Sequence, residues 1–292
     1  MMDAMTWVGG VWRLACYATV VWTLGMAFFW LHFGALLGPQ QRPYWIQKIR
    51  YGAYALLALA SLGVPLVAMD LSGEVRGMVD PVILGLVWQT QIGQMLPGWW
   101  IGGIGLLALA PVAQRWRDHT ALVAGALVLI APSMSGHATD LGGWGRWLVV
   151  AHALGWVYWA GSLLPLRWLC GTASSMPPLT ATLPQVMIRF GYLGWAYLAL
   201  LAGSGLILAW ALVGDWQTLV GTPYGRLLGF KLLLVALLYA MGARNKWLLV
   251  PALQRQEAGA LQALKRAINL EILLMGVVLA VAGILASFIT LP

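Results

Sequence analysis

The sequence predicts an all-α integral membrane protein with eight transmembrane helices, built as a tandem parallel repeat of four helices plus four, with both termini on the outer side. Three observations carry that expectation. The 292 residues are 61% apolar and only 9% charged, with a mean hydropathy of +0.81, far from the makeup of a soluble domain. Eight apolar runs are long enough, at 1.5 Å per residue, to approach or cross roughly 30 Å of hydrocarbon. Short matching stretches also recur at nearly one offset.

The runs cover about 8–37, 50–69, 97–113, 120–137, 146–168, 188–213, 224–244 and 268–290, the third and fourth being the shortest. Lys and Arg number 17, and twelve of them flank the connections after the first, third, fifth and seventh runs, among them Arg42, Lys48, Arg50, Arg115, Arg117, Lys265 and Arg266. Short cytoplasmic loops collect positive charge, so that side is inner and both termini face outward. The opposite side carries most of the acids, including Asp3, Asp70, Glu74, Asp80 and Asp215. The net charge of +8 is this asymmetry. There is no interspersed basic patch, so the expected surroundings are membrane lipid and not nucleic acid. The first run has neither a basic leader nor a small-residue cleavage site and is expected to stay as a helix. Trp99, Trp100, Trp144 and Trp147 suit interfacial anchoring. Cys16 and Cys170 fall on opposite sides and are not expected to pair.

The repeat rests on three matches. IRYG at 49–52 opens the second run and IRFG at 188–191 opens the sixth. WQTQIG at 88–93 resembles WQTLVG at 216–221, which TPYG follows at 222–225, so two registers are open there. Cys16, Trp22 and Gly25 parallel His152, Trp159 and Gly161, with the same nine-residue step from candidate ligand to glycine. The offsets are 139, 128 or 132, and 136. The halves are then 1–145 and 146–292, and four runs being an even number, both have one orientation about an axis along the membrane normal. The long connection 70–96 belongs to the first half, and its 81–88 piece is expected to lie on the outer interface as a short amphipathic helix.

SGHATDLGGWGRWLVVAHALGWVYWAG at 135–161 places His137 and His152 in apolar surroundings at comparable depth near the outer surface. Met134 stands three residues before His137, on one helix face. Cys16 joins them through the repeat. Thiolate, thioether and imidazole form a soft donor set, which suits Cu(I) better than Mg²⁺ or Ca²⁺. Cu⁺ with one thiolate is also neutral, which matters where a charge is hard to desolvate. The plainer alternative is that each histidine only hydrogen-bonds a neighbouring helix, and that Met134 only packs. His32 falls on roughly the opposite face from Cys16 and reads as structural, while Met1, Met2 and Met5 face outward. Lys231 and Glu271 read as anchors at different depths. Arg13, one turn before Cys16, is placed to hold a carboxylate such as Asp3 or to favour the thiolate. There is no P-loop, HExxH, CxxC or GxSxG motif, so neither an enzyme nor coupling to ATP is expected.

SGHA at 135–138, His152 followed by WAGSLLPL at 159–166, RFGYLG at 189–194 and GTPYGRLLGFKLLLVALLYAMGARNKWLLVPAL at 221–253 together resemble the copper resistance protein D family (CopD/PcoD) of bacterial inner membranes. The similarity covers nearly the whole chain and is strongest over about 187–290. It implies an eight-helix inner-membrane protein that handles copper and moves it inward, often beside a small periplasmic copper protein of the CopC type. The family pattern carries over onto His137 and His152. Where members commonly have a histidine in the first helix, this chain has Cys16, a softer ligand that favours Cu(I). The expected metal ligands are thus Cys16, His137 and His152, with Met134. Two other classes stand beside copper uptake: an electron-transfer cytochrome with b-type haem held between histidines, and a non-transporting copper donor or sensor that docks a periplasmic partner on 70–96.

Overall fold

The computed structural model describes residues 4–109, 114–136, 141–173 and 177–287. Their regular structure is helical throughout: α1 (Ala4–Leu37), α2 (Arg42–Ser72), α3 (Pro81–Val87), α4 (Gln91–Leu107), α5 (Gln114–Ile130), α6 (Gly142–Thr172), α7 (Pro177–Val213), α8 (Trp216–Gly221), α9 (Pro223–Arg244), α10 (Val250–Gln254) and α11 (Ala260–Ser287). Among the described residues six helical stretches are long and apolar enough to cross a membrane: Trp7–Leu37, Pro39–Ser72, Gly142–Thr172, Ala181–Val213, Pro223–Gln254 and Ala260–Ala286. The other two expected crossings correspond to α4 and α5, of 17 residues each. At 1.5 Å per residue each is about 25 Å long, short of a full hydrocarbon core.

The helices outrun their apolar runs because polar caps, not hydropathy, set their ends. The clearest case is α4, expected over 97–113 but starting at Gln91. Thr90 caps it, its hydroxyl accepting from Gly93 N at 3.0 Å, so the polar QIGQ stretch forms the first turn. Thr222 caps α9 in the same way, accepting from Gly225 N at 3.0 Å. Each of these helices follows a short one that an aspartate caps: Asp80 Oδ1 accepts from Val82 N at 2.8 Å, and Asp215 Oδ1 from Thr218 N at 2.7 Å. The two glycines serve one purpose. A Cβ on Gly93 would strike the Val87 carbonyl, and one on Gly225 the carbonyls of Thr218 and Leu219, so each lets a capped helix fold tightly against the one before it. Thr90 and Thr222 thus make the same kind of cap, each at the start of a long helix.

The core lies where α1 meets α2, α6 and α11, with α4 against α2 and α5, α7 against α6, and α9 against α11. At its centre α1 and α6 approach to backbone contact. A Cβ on Gly25 would collide with the Cα of Gly161, and one on Gly161 with the Cα of Gly25. Small residues permit such an approach, and dispersion and carbonyl contacts then hold the pair. Farther along α1, the rings of Phe29, Phe33 and Trp45 pack with centroids 4.7 Å and 5.2 Å apart.

Two placements differ from expectation. Trp99 is a core residue, 1% exposed, whose indole donates to Val128 O at 3.3 Å; Trp144 and Trp147 are exposed, as anchors would be. Cys170 sits inside α6, fully buried, and not in a connection. Hydropathy cannot separate an apolar face turned to lipid from one turned to protein, and that distinction decides both. As expected, Pro81–Val87 is helical, and around it Val75, Val79 and Val82 are exposed.

The interior also contains a π-helical turn, Asn245–Leu249, joining α9 to α10. Pro251 accounts for it. Its ring presses on the carbonyl four residues back, and the wider turn, in which Val250 N bonds Asn245 O, relieves the crowding.

Opposite signs are expected for two Gly→Ala substitutions. Gly276, on α11, has open space where a Cβ would stand, so Gly276→Ala should stabilise by about 0.5–1 kcal/mol through backbone entropy. Gly161→Ala should destabilise by about 1–3 kcal/mol through overpacking. Thermal midpoints of the two variants in detergent check this.

Candidate functional site

Cys16 is the first of the expected ligands that the structure places against open space. Cys16 is 1% exposed and lines a cavity of about 340 Å³. α1 supplies Trp12, Arg13, Cys16 and Tyr17; the first turns of α4 supply Gln91, Met95 and Trp99; Ser135, Gly136 and Ala286 complete the wall. Each part is pinned. The Trp12 indole donates to Leu59 O at 2.8 Å, locking α1 to α2. Gly136 N donates to the Gln91 side-chain oxygen at 3.1 Å, and Ser135 Oγ donates to Met95 Sδ at 3.7 Å. Arg13 donates to Ala286 O at 3.0 Å, tying α1 to the end of α11.

The site thus holds a residue that sequence reading missed. Met95 is 4% exposed and shares the cavity with Cys16. Nothing in its sequence context points to it, because its direction depends on the register that the Thr90 cap gives α4. His137 lies outside the described residues; the residue before it, Gly136, is on the cavity wall. Asp3, Met1 and Met2 lie outside them too. Met134 is 38% exposed and ends a 3-10 turn, Ala131–Met134, off the cavity wall.

His152 has other neighbours. It faces α7, where its Nδ1–H donates to Leu201 O at 3.2 Å. A carbonyl only accepts, so this bond fixes the tautomer and leaves Nε2 with a free lone pair, the state in which imidazole ligates metals. Gly205 makes room for the ring: a Cβ there would stand 2.9 Å from His152 Cε1. The structure brings Cys16, Met95 and Gly136 to one cavity and sets His152 against α7. Among the described residues no three His, Cys, Asp or Glu side chains gather closely enough to hold a metal.

His32 has both nitrogens committed. Nδ1–H donates to Phe28 O at 2.8 Å, which leaves Nε2 to accept from the Tyr197 hydroxyl at 3.1 Å. Phe28, Phe33, Tyr158 and Tyr197 surround the ring, a packing role. Glu271, buried, bonds Asn245 and not Lys231.

Two family models match the chain. The family model described as "Copper resistance protein D" matches residues 184–285, and that described as "Copper resistance protein D-like, N-terminal domain" matches residues 1–147. No curated protein and no solved structure matches.

Two free cysteines make the cavity testable. A small neutral thiol reagent should modify Cys16 well ahead of Cys170, which is fully buried and is not on the wall of that cavity. Mass spectrometry after timed exposure reads the difference, with Cys16→Ser as the control. Equal rates would mean that the cavity is closed to solutes.

Proposed function

The chain belongs to the copper resistance protein D family, a group of multi-pass membrane proteins by its helices and copper-handling by its name, and from that premise we propose that it takes Cu(I) from the periplasmic side of the bacterial inner membrane and passes it inward. The observation that carries this reading is the shared cavity of Cys16 and Met95. Thiolate and thioether are soft donors and discriminate for Cu(I) over the hard divalent cations. Copper here is the cargo, and one thiolate neutralises it. A neutral complex enters a low-dielectric bundle far more readily than an ion does.

The protein's own groups have distinct tasks in this scheme. Cys16 and Met95 hold the ion, and His137, next in sequence to Gly136, is the further ligand that the family resemblance implies. Arg13, tied to Ala286 O, closes the cavity wall beside Cys16. His152, its free Nε2 oriented by Leu201 O, is a later ligand on the equivalent helix of the second half. A CopC-like periplasmic protein would deliver copper over the 70–96 segment, whose end forms the α4 wall of the cavity, and the exposed Val75, Val79 and Val82 give it or the lipid surface an apolar landing. The eight-crossing, four-plus-four arrangement is supported by the glycine contact of α1 with α6 and by the matching capped corners at Thr90 and Thr222. Eight crossings would put both termini on one side, and the Lys and Arg gathered on the opposite side would make the side of the termini periplasmic.

Copper loading under reducing conditions, followed by metal analysis and X-ray absorption, tests the site. The wild-type protein should bind about one Cu(I) in this cavity, with sulfur in its shell. Cys16→Ala should lose most of the copper, and Met95→Leu should lose a sulfur scatterer while keeping part of the affinity. The double variant should be strongly non-additive, because both residues act on one ion. Copper bound in Cys16→Ala with an unchanged shell would overturn the assignment.

A further inference from the structure

A second enclosed space lies among α6, α7, the α9–α10 junction and α11. It measures about 110 Å³, and its walls are aromatic and aliphatic apart from a few polar side chains. Asn245 and Glu271, 7% and 3% exposed, are the two of them that are buried. Asn245 Nδ2 donates to Glu271 Oε1 at 2.5 Å. Asn245 Oδ1 is buried with no partner. Asn245 opens the π-helical turn, a distortion that recurs at functional positions in helices.

An unpaired buried acceptor calls for an explanation, and the chemistry of the pair supplies one. An ionised carboxylate only accepts, so it offers nothing to Asn245 Oδ1. A carboxylic acid has one O–H to give. An acid and a primary amide present complementary edges, the amide N–H donating to one carboxyl oxygen while the acid O–H donates to the amide oxygen. Turning the amide over leads to the same place, because two oxygens then face each other and need a proton between them.

The neighbouring charges are committed elsewhere. From the π turn, Lys246 Nζ donates to Gly191 O at 2.9 Å and stands 4.6 Å from the centre of the Trp195 ring. From α6, Arg167 donates to Asn269 and the Tyr158 hydroxyl to Phe190 O. From α9, the Tyr239 hydroxyl donates to Leu198 O. On α11, Lys265 and Arg266 precede Glu271 by more than a turn. On α7, Arg189 is exposed. Glu271 therefore has no ion-pair partner among the described residues, and an unpaired carboxylate among apolar side chains is disfavoured.

We propose that Glu271 and Asn245 form an intramembrane proton-binding site, in which Glu271 holds the proton and Asn245 Oδ1 accepts it. The site is distinct from the Cys16 cavity. Ala286, on the wall of that cavity, lies fifteen residues beyond Glu271 along α11, roughly 22 Å at 1.5 Å per residue. Its ligand is the proton, and the proposal does not depend on the copper reading.

Infrared spectroscopy of the full chain in lipid, with exchange from H₂O to D₂O at neutral pH, tests it. The wild-type protein should show the carbonyl stretch of a protonated carboxylic acid, shifted by deuteration. Glu271→Gln should abolish that band while leaving the thermal midpoint unchanged or higher, since the glutamine amide reproduces the donor that Asn245 Oδ1 lacks. Asn245→Ala should move the wild-type band to higher frequency, as expected when the acid O–H loses its acceptor. Absence of an acid band in the wild-type protein, its persistence in Glu271→Gln, or its indifference to Asn245→Ala would each overturn the proposal.

Discussion

The bundle depends on one contact, the backbone approach of α1 and α6 at Gly25 and Gly161. No side chain intervenes, so the separation of α1 and α6 is set by peptide atoms alone, and every helix that packs on them inherits that spacing. The contact also places the candidate ligands. Cys16 and His152 each stand nine residues before their glycine, roughly 13 Å along the helix axis. Away from that contact each side chain meets a different neighbour: Cys16 shares a cavity with α4, and His152 bonds α7.

Much of this was legible in the sequence, and what was not has a common physical cause. Apolar length found the long helices, and the nine-residue step found the glycine pair before any contact was known. The pattern did not reveal that α4 begins at Gln91, because a cap made by one threonine hydroxyl outweighs the polarity of the turn that follows. That shift of register hid Met95 and put Trp99 in the core. The same limit applies to Cys170, which reads as a loop residue beside Arg167 yet is covered on all sides. Composition reports what a residue prefers, whereas neighbours on other helices decide what it faces. For the ligand set, Cys16 and His152 were visible as soft or aromatic donors in apolar runs, but their separate surroundings follow from the crossing angle, which leaves no local trace.

The buried polar residues divide by how their hydrogen bonds are met. Thr23, Ser133 and Ser204 turn back onto carbonyls of their own chain segment, at Thr19, Ile130 and Leu200. Such bonds are local and make few demands on tertiary packing. Asn245 and Glu271 reach from one segment to another. Polar groups of that kind are satisfied only when two helices hold their relative rotation, so they specify how the α9–α10 segment sits on α11 more strictly than the apolar contacts around them do.

The π turn at Asn245–Leu249 has a consequence for how this part of the chain tolerates changes in length. A π turn holds one residue more than the α turn it replaces, and it absorbs that residue by winding more loosely, so losing a single residue there would restore ordinary helical winding with the flanking faces still in register. The same deletion in the regular part of α9 would rotate one side by about 100° relative to the other. What would change at the turn is local, the pair of neighbours Asn245 and Lys246 that reach Glu271 and Gly191 O from it. Along these five residues the chain can gain or lose one residue without turning the faces of α9 and α10 against each other, a tolerance that an unbroken helix lacks.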